Sequence, residues 1–192
     1  MLLATRCPAC ARVGPAPCAA CIAQMVVAGP VTTPQGMVWC RALLSYEGPA
    51  REVVAQLKYR NARAVAAWLA GAMAGLVDPA EVSVVTWAPT TELRRRARGF
   101  DQAEVLARRV AAHLGVACVP LLARVPGPPQ TGRTLLERRD GPQFLARRTA
   151  EGAAILLVDD VVTTGATFAA GALALQSAGA GSVAGLASAH PP

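Results

Sequence analysis

Lysine is almost missing from this chain: Lys58 is the only one, so 18 of its 19 basic residues are arginine. Against 12 acidic residues they leave a net charge of +7. That balance favours anionic partners, phosphates or nucleic acid, and the planar arginine fork suits phosphate oxygens. The alternative is a compositional drift toward Arg and Ala with no binding meaning. Aromatic residues are only 4% and are not interleaved with the arginines, unlike a stacking platform for single strands. Charged residues are only 16% against 53% hydrophobic, which excludes disorder for most of the chain. No apolar run reaches the roughly eighteen residues of a spanning helix, the longest candidates breaking at Asp159-Asp160 and Gln176-Ser177. Met1 to Gly14 lacks an apolar h-region and does not read as a secretory signal. The expectation is a soluble, cytoplasmic protein with no membrane insertion: one ordinary domain in 192 residues, with room for a small appendage.

Four of the six cysteines form two C-x2-C pairs, Cys7-Pro8-Ala9-Cys10 and Cys18-Ala19-Ala20-Cys21. Two such turns complete a tetrahedral thiolate shell for Zn2+ with no open position, so the expected site is structural. A disulfide framework fits an oxidising compartment, and a thioredoxin-like redox pair needs a preceding strand within a βαβ unit; neither context is found here. Cys40 and Cys118 stand in apolar surroundings and read as plain buried residues. The Gly, Pro and Thr of Val26 to Gly36 read as a linker, which divides the chain into a four-cysteine knuckle at 1–30 and a main domain at 31–192.

Beyond the linker the spacing predicts a strand or hairpin over Met37 to Tyr46 and a helix opened by Pro49-Ala50, with Val53, Val54 and Leu57 on one face. A second helix runs from Arg63 to Leu76. Short apolar runs then alternate with amphipathic helices: Val82 to Trp87, Gln102 to Leu114, Val116 to Leu122, then Ala154 to Val158, Thr167 to Ala178 and Ser182 to Ala187. A long polar segment, Arg124 to Arg148, intervenes. This alternation predicts an α/β fold with a mainly parallel sheet flanked by helices, whose ligands sit at the carboxyl ends of the strands.

At one such end Ile155-Leu156-Leu157-Val158 runs abruptly into Asp159-Asp160, and after two apolar residues Thr163-Thr164-Gly165-Ala166-Thr167 opens a helix. The carboxylates can accept hydrogen bonds from vicinal sugar hydroxyls or hold waters of a Mg2+ shell. The loop aims successive N–H groups and hydroxyls at one spot on a helix N-terminus, which favours a phosphate. Together they describe a cradle for a ribose 5-phosphate. A strand end followed by a helix cap explains either half, but not both in this order.

The run Leu156 to Thr167 resembles the phosphoribosyl pyrophosphate (PRPP) motif of type I phosphoribosyltransferases. With the double C-x2-C, Leu57-Lys58-Tyr59-Arg60, Arg98-Gly99-Phe100-Asp101-Gln102, Gln130-Thr131-Gly132 and Glu137-Arg138-Arg139, the chain resembles the ComF family of competence-associated phosphoribosyltransferase-like proteins. The resemblance implies a type I phosphoribosyltransferase fold that binds PRPP with Mg2+ and transfers the phosphoribosyl group with release of pyrophosphate. Asp159 and Asp160 would hold the ribose hydroxyls, and Thr163, Thr164, Gly165, Ala166 and Thr167 the 5-phosphate. Ala88, Pro89 and Thr90 after Trp87 would form the pyrophosphate loop. Arg98 would add basic character, and Gln130, Thr131, Gly132, Arg133, Arg138 and Arg139 would form a mobile loop over the reacting centre. The chain departs from the family pattern at Trp87, Asp101, Leu135 and Gly141. Purine-salvage relatives carry an Asp where this chain has Thr163, which argues against purine salvage.

Arg94-Arg95-Arg96, with Arg98, is expected in a loop just after a core strand, where it serves pyrophosphate or nucleic acid, or else is the solvated basic start of a helix. His190 reads as a solvated tail residue, and His113 as a dipole partner at a helix end. Two functions follow: a phosphoribosyltransferase with an unidentified acceptor, or a non-catalytic accessory factor that senses nucleotides or works with single-stranded DNA and DNA-uptake or recombination proteins.

Overall fold

The computed structural model describes residues 5–58, 63–125 and 142–192. Five parallel strands form the sheet, in the order β1-β7-β6-β2-β3: β1 (Cys40–Ser45), β2 (Val84–Trp87), β3 (Ala117–Cys118), β6 (Ala154–Val161) and β7 (Ser182–His190). An antiparallel pair, β4 (Leu122–Arg124) and β5 (Phe144–Ala146), stands apart. The helices are α1 (Ala19–Ile22), α2 (Gly48–Gln56), α3 (Arg63–Ala74), α4 (Glu92–Arg98), α5 (Gln102–Leu114) and α6 (Ala166–Ser177), with a 3-10 turn at Pro79–Glu81. The α/β class with a parallel, helix-flanked sheet is therefore as the sequence predicts. No helix among the described residues is long and apolar enough to cross a membrane.

The period of β6 explains the two-sided core. Successive residues of a strand point to opposite faces, so a strand covered on both sides needs an unbroken apolar run. Leu156 and Val158 pack with Val53, Val54, Leu69, Met73, Leu106 and Val110 of α2, α3 and α5. Ile155 and Leu157 pack with Phe168, Ala172 and Leu175 of α6. Helix α5 has the ends its sequence foretells: the Asp101 carboxylate accepts from the Ala103 amide at 3.0 Å, and Gly115 closes the helix at φ 70°.

Three expectations need correction. The run Val116 to Leu122 is not one strand: Pro120 brings no ladder donor, and the chain instead forms β3 and then β4, with the Leu121 amide donating to Thr86 Oγ1 at 3.2 Å. The polar stretch Arg124 to Arg148 contains β5, held to β4 in register Leu122 with Ala146 and Arg124 with Phe144. The Arg94-Arg95-Arg96 cluster lies in helix α4, not in a loop. Thr91 caps that helix by accepting from the Arg94 amide at 3.3 Å, and Gly99 ends it at φ 81°.

Helix α6 lies close on the sheet because Gly171 has no side chain. A Cβ there would stand 2.6 Å from Leu157 Cδ2 and 3.4 Å from Leu122 Cδ1, both in the core. Gly171→Val should therefore lower the unfolding free energy by about 1–3 kcal/mol through overpacking. Urea denaturation measures this, and an unchanged midpoint means that Leu157 swings aside freely.

Candidate functional site

The carboxyl end of β6 gathers the unusual residues. Asp159 Oδ1 accepts from the Asp160 amide at 2.8 Å, and Asp160 Oδ1 accepts from the Val161 amide at 2.9 Å. These bonds stiffen the pair and use one oxygen of each carboxylate. Ser188 of β7 donates its hydroxyl to the Asp160 carbonyl. Burial, with the neighbouring Asp160 charge second, pushes the Asp159 carboxyl well above the ordinary carboxylate range.

The loop that follows turns on Gly165, at φ 76°, directly before α6. Thr163 and Thr164 are exposed, Thr167 is half-buried, and Thr164 Oγ1 accepts weakly from the Ala166 amide at 3.4 Å. A Cβ on Gly165 would stand 2.8 Å from Pro34 Cγ, so glycine is required twice, for its backbone angle and for this seat. The segment carrying Pro34 is pinned in turn: Gln176 Nε2 of α6 donates to the Gly36 carbonyl at 2.9 Å.

Parallel pairing sets Trp87 beside Val158, and the Ala88 amide donates to the Val158 carbonyl at 3.0 Å. The turn Ala88, Pro89 and Thr90 thus lies next to the acidic pair. Asp101 holds it there. Its Oδ2 accepts from the Thr90 amide at 2.8 Å while its Oδ1 caps α5, so one buried carboxylate joins the turn to the helix. Burial raises the Asp101 pKa, against the amides that donate to it.

Cations approach from the same side. Glu92 binds Arg95 and Arg96 along α4 at 3.0 Å each, which offsets part of the arginine cluster. Arg124 on β4, which sequence reasoning passed over, stands with its guanidinium 5.8 Å from the Phe144 ring. Burial and then the like charge of Arg94 lower the Arg124 pKa, while Asp159 and Asp101 raise it. No local motif marks Arg124, because only the tertiary fold brings it within electrostatic reach of those carboxylates. Arg98 ends α4 and is half-buried. Gln130, Thr131, Gly132, Arg133, Arg138 and Arg139 lie outside the described residues, as do Tyr59 and Arg60.

His190 is not a tail residue. It ends β7, paired in register with Ser45, and its Nδ1 lies 2.9 Å from the Val162 carbonyl. The sequence hid this, since the polar Ser188 and His190 interrupt an apolar run that continues as strand. His113 stands in the last turn of α5, as expected.

The sulfurs of Cys7, Cys10, Cys18 and Cys21 lie within 4.8 Å of one another, with Cys10 and Cys18 at 3.7 Å. Tetrahedral thiolates ~2.3 Å from Zn2+ sit about 3.8 Å apart, so the four fit one ion. Burial raises the Cys7 thiol, but donors from the backbone of Cys18, Cys10 and Ala9 outweigh this and bring it down to about 6. Cys21 is pushed up to about 12 by burial and by its cysteine neighbours. Cys40 lies elsewhere, its thiol raised to about 11 by burial alone.

Comparison with protein-family models finds no match. The chain is similar to an adenine phosphoribosyltransferase of Frankia casuarinae, 41% identical over 101 residues, 51% of each protein. It thus spans about half the length of that curated relative. Among solved structures it is similar to an allosteric regulatory enzyme of purine biosynthesis, at 21% identity and TM-score 0.48 over 70% of this chain and 30% of that one. It is also similar to a glutamine PRPP amidotransferase from B. subtilis complexed with ADP and GMP, at 21% identity and TM-score 0.46 over 69% and 30%.

Two measurements test the site. A raised carboxylate pKa makes the folded chain hold more protons than the unfolded one, so stability falls as pH rises from the ordinary carboxylate range through the raised value. Asp159→Asn should remove the Asp159 share of that slope, leaving that of Asp101, and raise the melting temperature of the ligand-free protein at neutral pH; an unchanged or lower value contradicts the burial cost. For the cysteines, elemental analysis should find about one zinc per chain, and a strong chelator should lower the melting temperature. Metal-free protein of equal stability would point to unliganded thiols.

Proposed function

We propose that this chain binds PRPP with Mg2+ and transfers its phosphoribosyl group to an acceptor, releasing pyrophosphate. The carrying observation is the adjacent carboxylate pair at the end of β6, followed within one Thr-Thr-Gly loop by the N-terminus of α6. Asp159 and Asp160 bind the ribose hydroxyls, each through the oxygen not committed to its neighbour's amide, and are the residues that could hold waters of a Mg2+ shell. The loop from Thr163 to Thr167 takes the 5-phosphate at the positive end of the helix. Ala88, Pro89 and Thr90, fixed by Asp101, meet the pyrophosphate, and Arg98 with Arg124 balances the charge of that leaving group. Mg2+ supplies charge neutralisation of the diphosphate when bound.

The name of the curated relative supports a phosphoribosyl substrate, and the identity over 101 residues adds weight to the superfamily. A purine acceptor does not follow from it, because the match covers only 51% of that relative. The double C-x2-C favours the ComF group within that superfamily, and with it a place in competence. The division into a zinc knuckle at 1–30 and a transferase-like domain at 31–192 belongs to the same reading. An accessory role with single-stranded DNA or DNA-uptake proteins is the second reading; the pairing of Glu92 with Arg95 and Arg96 weakens the basic face it needs.

Calorimetry with PRPP and Mg2+ tests the proposal. The wild-type chain should bind, and the double variant Asp159→Asn, Asp160→Asn should lose at least about 100-fold in affinity, as expected when two charged hydrogen-bond partners are removed. Equal affinity in both, or none in the wild type, rejects the assignment.

A further inference from the structure

The strand order gives the site two different flanks. β6 carries the acidic pair, β2 lies on one side of it and β7 on the other. The turn after β2, with Arg124 and the arginines of α4 beyond it, is the anionic side of the proposed reaction. A displacement at carbon needs its nucleophile on the face opposite the leaving group, which points to the β7 side. Ser188 and His190 stand there. Ser188 is occupied by the Asp160 carbonyl, while His190 is held by the Val162 carbonyl, in the loop joining the acidic pair to the phosphate cradle.

That carbonyl fixes the ring chemistry. A carbonyl oxygen only accepts, so Nδ1 carries the proton, and in the neutral ring Nε2 is left with a lone pair. The backbone is fixed as well: the Tyr46 amide donates to the His190 carbonyl at 2.7 Å, and the Val162 amide to the Ala189 carbonyl at 3.0 Å. A half-buried imidazole of set tautomer, on two hydrogen-bonded strands, is suited to proton transfer.

We infer that His190 is the proton acceptor for the incoming nucleophile, and that the acceptor substrate is a neutral N–H or O–H nucleophile entering from the β7 side. The inference rests on the phosphoribosyl reading of the site. In the step, the bond from C1 of the ribose to the pyrophosphate oxygen breaks with its electron pair, and the nucleophile's lone pair forms the new bond to C1. The proton lost by the nucleophile passes to Nε2, and pyrophosphate leaves with Mg2+. Nothing is oxidised or reduced. The acidic pair does not serve this role, since its carboxylates engage the ribose hydroxyls.

The test uses the full, zinc-loaded chain with Mg2+, PRPP and two small probe nucleophiles. Neutral hydroxylamine must lose a proton on attack, whereas azide has none to lose. His190→Asn keeps an amide donor near the Nδ1 position and removes the basic nitrogen; His190→Gln replaces it if the Asn variant no longer binds PRPP by calorimetry. Hydroxylamine-dependent pyrophosphate release should fall about 100-fold in the variant. The azide-dependent rate should change less than about threefold, with PRPP affinity unchanged. Equal losses with both nucleophiles, or no loss with either, overturn the proton-acceptor role. So does a wild-type chain that binds PRPP yet releases no pyrophosphate with either nucleophile. A wild-type chain that does not bind PRPP instead overturns the reading on which the inference rests.

Discussion

Two adjacent carboxylates at the end of a strand buried on both faces are the constraint around which this molecule is arranged. Leu156, Leu157 and Val158 have no contact with water, and the next two residues are Asp159 and Asp160. At the lip of an apolar layer, burial first and the like charge of Asp160 second make the Asp159 carboxyl resist ionisation. The chain meets that cost locally with backbone amides. Each carboxylate accepts from the amide of the next residue, and Ser188 steadies the Asp160 carbonyl from the neighbouring strand. A site that is costly when empty is favourable to fill, because a ligand hydroxyl or a cation relieves the repulsion that folding leaves in place.

The surroundings repeat this arrangement at longer range. Asp101, like Asp159, is a carboxylate whose pKa burial raises, and its two oxygens tie the Thr90 turn to the start of α5. An asparagine there would offer one acceptor oxygen where aspartate offers two, so the carboxylate at this position has a mechanical use. Arg124 is pressed toward Arg94 by the fold, a placement unfavourable by itself and eased by Asp159 and Asp101. Opposed charges therefore alternate across the mouth of the sheet. Beneath it Pro34 sits on Gly165 while Gln176 holds Gly36, so the segment leading from the cysteines braces the loop that opens α6.

What the sequence revealed and what it hid divide by range of interaction. The span Gln102 to Leu114 and the run into Asp159-Asp160 were legible because their caps and periods are local. The two C-x2-C pairs were legible because metal-ligand spacing is itself local. Helix α4 was legible only as one alternative to a loop, a solvated basic helix start, because its Thr91 cap with Glu92 pairing is a weak signal over seven residues. β5 escaped because three residues in a polar stretch become strand only by pairing with β4. Arg124 and the seat of Pro34 on Gly165 are tertiary facts with no local period at all. His190 was misread because strand pairing with β1 and β7's register carry the chain past the point where apolar residues stop.

The asymmetry between the two flanks of β6 gives the proposed chemistry its direction. On the β2 side Arg124 and α4 present positive charge, where a departing diphosphate is stabilised more than its bound ground state because its charge grows as the bond breaks. On the β7 side Ala187, Ser188 and Ala189 are small and buried, and His190 is the titratable group of that strand. A neutral nucleophile enters such a flank without the desolvation cost that an ion would meet, and it needs one basic nitrogen rather than a field of charge. Net charge of +7 therefore says less about a partner than its placement does: in the proposed reaction the positive side would serve what leaves, and the side with little charge would select the reacting partner.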